Sequence, residues 1–92
     1  MKVIWTEFAI EDVRLIHHYI SKDSKKYADR FVDKILARVD QLANFPRSGR
    51  IVPEFNSEII RELIEGNYRI IYKIDLDYIA IIRVHQAARQ LK

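Results

Sequence analysis

The sequence predicts an α+β domain of order β-α-α-β-β-β, a helical hairpin packed on a small, mainly antiparallel twisted sheet. Three observations predict it. Two stretches in the first half repeat apolar residues at helical spacing. Three runs rich in β-branched and aromatic residues fill the second half. Between the first two of these, Gly66-Asn67 is a two-residue hairpin signal.

Taken in order, Lys2–Trp5 reads as a short strand running into a helix cap at Thr6. Ala9, Val13, Ile16 and Ile20 mark one face of a helix over residues 7–22, with Glu7, Glu11 and Asp12 where the dipole favours anions. Ser24 caps a second helix whose stripe is Ala28, Phe31, Val32, Ile35, Leu36, Val39 and Leu42. The polar link between them is short, which predicts an antiparallel hairpin. Phe45–Glu54 then holds both prolines and one of the two glycines, and reads as a crossing loop. Strands follow over residues 58–64, 68–74 and 78–85.

Register divides the sheet into two faces. A Gly66-Asn67 turn pairs Leu63 with Ile70, Ile64 with Arg69 and Glu65 with Tyr68. In the last hairpin, pairing odd positions with odd collects the charges on one side. That register sends Leu63, Ile70, Tyr72, Ile74, Ala80, Ile82 and Val84 toward the helices. The far face then carries Ile60, Glu62, Ile64, Arg69, Ile71, Ile79, Ile81, Arg83 and His85. That set is too apolar for open solvent, so a cover is expected.

Composition sets the bounds. Ninety-two residues make one domain, 1–92, with a thin stability margin. There is no cysteine, so neither a disulfide nor a thiolate metal site is available. No apolar run is long enough for a membrane span or a signal-peptide core, and a soluble cytoplasmic protein is expected. The net charge of +3 is spread evenly, with 8 basic and 7 acidic groups in residues 1–44 and 8 and 6 in residues 45–92. That balance permits nucleic-acid contact without demanding it. His17 and His18 are adjacent and split across helix faces, and no metal or cofactor is expected.

Four segments, in order, resemble the RelE/ParE superfamily of toxins from toxin–antitoxin pairs. They are Phe45-Pro46-Arg47-Ser48-Gly49-Arg50 with Val52-Pro53-Glu54, then Ile60-Arg61-Glu62-Leu63, then Asn67–Tyr72, and the end Ile82–Arg89. The resemblance covers essentially the whole chain. It implies a growth-inhibiting toxin of a type II system, a cognate antitoxin that wraps it, and a toxin–antitoxin hetero-oligomer. It also implies one of two targets: DNA gyrase for ParE-like members, or ribosome-bound messenger RNA for RelE-like endoribonucleases. A non-toxic binding module of the same fold is the third possibility.

The resemblance to RelE-like enzymes implies Glu54 as general base, Arg69 as charge stabiliser and His85 as general acid. Cleavage through the RNA's own 2′-hydroxyl needs those three roles. The departures point the other way. The lysines such enzymes carry on the first strand of the meander are absent, Glu62 stands at one of their places, and Gln86 rather than tyrosine follows His85. The ParE-like reading, gyrase poisoning without bond cleavage, is therefore favoured. Arg50, Arg61, Arg83 and Arg89 are the candidate target- or partner-binding cations. Arg61 falls on the helix side and is expected to anchor the loop, and Arg69 has an ion-pair partner within reach in Glu62.

Overall fold

The computed structural model describes residues 1–87. Its elements are β1 (Lys2–Trp5), α1 (Glu7–Ser21), α2 (Lys25–Asp40), β2 (Arg50–Ile51), β3 (Ile60–Glu65), β4 (Tyr68–Ile74) and β5 (Tyr78–Gln86), with a single 3-10 turn, Gln41–Ala43, after α2. Both helices begin where the side-chain caps say they should. Thr6 Oγ1 accepts from the Ala9 amide at 3.2 Å, and Ser24 Oγ from the Tyr27 amide at 3.2 Å. Each satisfies one of the orphan donors of a helix N-terminus.

The five strands lie in the order β1-β5-β4-β3-β2. β1 runs parallel to β5 and the other pairs are antiparallel. The expected order of elements holds, with the addition of β2. The two residues of β2 pair Arg50 with Glu62 and Ile51 with Arg61 inside the crossing loop, which gave no strand signal because it is framed by prolines. Gly66 turns the β3–β4 hairpin at φ +58, a conformation that costs glycine nothing. The pairs Leu63–Ile70, Ile64–Arg69 and Glu65–Tyr68 stand as the turn predicts.

The last hairpin departs from its expected register half-way along. Arg69 faces His85 and Ile71 faces Arg83, odd with odd, but Tyr72 then faces Ile81 and Ile74 faces Ile79. Ile82 is the extra residue of a β-bulge, and past it every side chain of β5 changes face. Ile79 and Ile81 are therefore fully buried in the core, and Ala80 and Ile82 lose the helix-facing places expected of them. Two local features impose the shift. The turn is closed by the Asp75 amide on the Tyr78 carbonyl at 2.9 Å, one residue tighter than the odd register needs. Thr6 grips the bulge from the side. Its amide reaches the Ile81 carbonyl at 3.1 Å, while its hydroxyl lies 2.7 Å from the same oxygen and 3.1 Å from that of Ile82.

The core is thus one layer between the hairpin and the sheet. Ala9, Ile35, Val39 and Leu42 meet Leu63, Ile70, Tyr72, Ile79, Ile81 and Val84, with Ile74 packed at its edge. Tyr72 carries its hydroxyl through this layer to the crossing loop. It donates to the Pro46 carbonyl at 2.7 Å and accepts from the Gly49 amide at 2.9 Å. A Cβ on Gly49 would lie 2.6 Å from both the Glu62 carbonyl and the Tyr72 hydroxyl, so only glycine passes there. No helix among the described residues is long and apolar enough to cross a membrane.

Candidate functional site

On the sheet face away from the helices, the strands bring together the three buried acidic, basic and histidine side chains among the described residues: Glu62, Arg69 and His85. Alternation along β3 and β4 puts Glu62 and Arg69 on this face, and the β4–β5 register sets His85 directly across from Arg69. The cover comes from the loop between β2 and β3, residues 52–59. Val52 is fully buried at its root, and Glu54 extends from it over the sheet.

Four of these side chains form an alternating ion chain. Arg50 Nε donates to Glu62 Oε2 at 2.6 Å, and Arg69 Nε donates to Glu62 Oε1 at 2.6 Å. The far edge of Arg69 is a fork. Nη1 donates to Glu54 Oε2 at 2.8 Å and Nη2 to Glu54 Oε1 at 2.9 Å. Glu62 is 0% exposed at its side chain, Arg69 6% and Glu54 23%, so water reaches the chain only at its outer end and at Arg50. The hydrogen bonds to Glu54 lead in raising the Arg69 pKa, overcoming its burial, and those to Glu62 add to them.

The three residues expected of an RNA-cleaving site, Glu54, Arg69 and His85, are therefore neighbours. The Arg69 fork is filled by a carboxylate, however, and the guanidinium is nearly excluded from solvent. A phosphate could bind that edge only by displacing Glu54, which would remove the base from the site it is meant to serve.

The remaining cations are divided among different tasks. Arg61 donates to the Glu58 carbonyl at 2.9 Å and to the Gly49 carbonyl at 3.0 Å, the loop anchor expected of it. Arg83 leaves the far face and reaches α1, where Nε and Nη2 donate to Asp12 at 2.8 and 3.0 Å. Its guanidinium also sits 5.8 Å from the centre of the Phe8 ring. Arg89 lies outside the described residues. Tyr68 packs on Phe31 with the rings tilted by 57° and their centres 4.9 Å apart, and burial followed by the nearby Tyr19 raises its pKa.

Asp12 is the residue whose role sequence reasoning missed. β1 ends opposite Ile81, so the outer edge of β5 has no strand beyond that point. Asp12 takes over, accepting from the Val84 amide at 2.9 Å as well as from Arg83. Burial alone would raise its pKa, but these bonds and the Arg83 charge bring it below the ordinary aspartate value. A carboxylate on the core-facing side of an amphipathic helix was the available signal. An open cleft of about 280 Å³ lies beside it, lined by Leu15, Tyr19, Tyr68, His85 and Gln86 among others.

Comparison with known proteins agrees with this architecture. Residues 3–91 match the family described as the ParE toxin of the type II toxin–antitoxin system parDE. The chain is 32% identical over 89 residues to the protein named Toxin RelE2 of Caulobacter vibrioides, covering 96% of this chain and 97% of that one. It is 34% identical over 89 residues to Y4kP of Sinorhizobium fredii, covering 92% and 90%. A chain of the solved chromosomal ParDE system of P. aeruginosa has the same fold, with a TM-score of 0.77 at 24% identity over 94% of this chain and 95% of that one. This chain belongs to the ParE toxin family of type II toxin–antitoxin systems.

Proposed function

We propose that this toxin arrests growth in the cytoplasm by poisoning DNA gyrase, without cutting RNA, and that a cognate protein antitoxin restrains it. The observation that carries this reading is the state of Arg69. Stabilising a phosphorane needs an accessible cation, and here Arg69 is 5% exposed, with its fork on Glu54 and its Nε on Glu62. The absence of lysine from β3 points the same way. Arg50 and Arg83, 62% and 40% exposed at their side chains, are the cations best placed to meet a target, whereas Arg61 is committed to loop carbonyls.

One observation favours the second reading, a ribosome-dependent endoribonuclease. Glu54, Arg69 and His85 do lie together, and a relative carries the name RelE2. The two readings separate in a single pair of assays on purified toxin. Inhibition of gyrase supercoiling with ribosome-bound messenger left intact supports the proposal. Messenger cleavage with gyrase unaffected would replace it.

A further inference from the structure

We propose that the Nη edge of Arg69 is an oxyanion seat, occupied here by the chain's own Glu54, and that an external carboxylate or phosphate exchanges with Glu54 as the loop tip, residues 53–58, lifts.

The seat is built from behind. Arg69 is held by its Nε on Glu62 at 2.6 Å, and the other oxygen of Glu62 is held by Arg50 at 2.6 Å. Glu62 is 0% exposed at its side chain and both it and Arg69 stand on paired strands. The direction of the Nη fork is therefore set by the sheet, whether or not Glu54 is in place. The occupant arrives differently. Pro53, Glu54, Phe55 and Asn56 are all exposed, and Asn56 sits at φ 48, a left-handed conformation that non-glycine residues adopt at some cost. The loop returns to β3 through the Val52 amide on the Ile60 carbonyl at 3.2 Å, so its tip can swing while its root stays paired.

Charge supplies the reason for exchange. Arg50, Glu62 and Arg69 together carry one net positive charge, and Glu54 cancels it. Lifting the loop into water would leave a buried, uncompensated cation, which is strongly unfavourable. A second anion on the fork removes that obstacle, because the planar pair of Nη groups matches a carboxylate or a phosphate equally well. Binding of such an anion therefore selects the open loop. An anion on the fork takes the place of Glu54, so the exchange does not restore the base that RNA cleavage needs.

Two measurements test it, with acetate and inorganic phosphate as probes against chloride at matched ionic strength and pH. In the wild-type protein, either probe should speed chymotrypsin cleavage after Phe55 several-fold and saturably. Unchanged cleavage overturns the proposal. In Glu54→Gln, the unfolding midpoint should rise saturably, by about 5–10 °C at ten times the dissociation constant. Phosphate also stabilises proteins non-specifically, and Glu54→Gln with Arg69→Gln reads that background. A larger rise with acetate assigns the seat to carboxylates, and a larger rise with phosphate assigns it to phosphates. A Glu54→Gln midpoint that merely follows the double variant overturns the proposal.

Discussion

Against the helices, the sheet presents Leu63, Ile70, Tyr72, Ile81 and Val84 to Ile35, Val39 and Leu42, and hydrocarbon excludes the water. On the far face, neighbouring positions of β3, β4 and β5 present Glu62, Arg69 and His85, and the cover is a loop tied down by ion pairs. The first face draws its stability from area, so a loss at one position costs what that position buried. The second draws it from mutual compensation, so a loss at one position also strands its partners. The same sheet is therefore tolerant on one side and brittle on the other.

The brittle side should give the largest effect. Glu62→Ala leaves Arg69 without its rear carboxylate in a buried site and should cost about 3–5 kcal/mol, measured by urea unfolding. That is a large fraction of the stability of a domain this small. A loss under ~1 kcal/mol would mean that water already reaches the network. On the apolar side, Ile70→Ala or Leu42→Ala should cost about 2–5 kcal/mol through lost burial and the cavity left behind. A nearly unchanged melting temperature in either would refute the assignment of faces.

A third test lies at the sheet edge, where the two modes meet. Asp12→Ala removes the acceptor of the Val84 amide and of Arg83, and should cost about 1–3 kcal/mol at neutral pH. Because its folded pKa lies below the ordinary value of 3.8, the stability Asp12 adds is present above that pH. It is lost as pH falls through the depressed folded value. The gap between wild type and Asp12→Ala should therefore close progressively below about pH 4. A gap that persists at lower pH would show that the charge is not what matters there.

The smallest effect should come from replacing the buried pair outright. Glu62→Leu with Arg69→Met removes both ions together and should shift stability by no more than ~1 kcal/mol, in either direction. Costs that simply add from the two single changes would dissolve the distinction between the faces.

The two faces also differed in how far the sequence disclosed them. Helical spacing in Ala28, Ile35, Val39 and Leu42, and the Gly66-Asn67 turn, identify the apolar layer because periodicity is a local property. The bulge at Ile82 escaped that reasoning. It depends on Thr6, some 75 residues away in sequence, and it moved Ile79 and Ile81 into the core in place of Ala80 and Ile82. The ion network was legible only in pieces. Charge pattern suggested the Glu62–Arg69 pair and the cluster of Arg69 with His85. The arrival of Glu54 depends on how the Pro53 loop folds over the sheet, and Asp12 meets Arg83 across 71 residues of chain. Such contacts are set by tertiary geometry, and no residue spacing announces them.

The central claim is that Arg69 is sealed by carboxylates and that the toxin acts without RNA chemistry. Its most direct test is messenger integrity on purified ribosomes, using wild-type toxin beside folded Arg69→Ala and His85→Ala variants, with gyrase supercoiling followed in parallel. The account predicts intact messenger with all three proteins and supercoiling inhibited by the wild type. Messenger cleaved by the wild type and spared by both variants would contradict it.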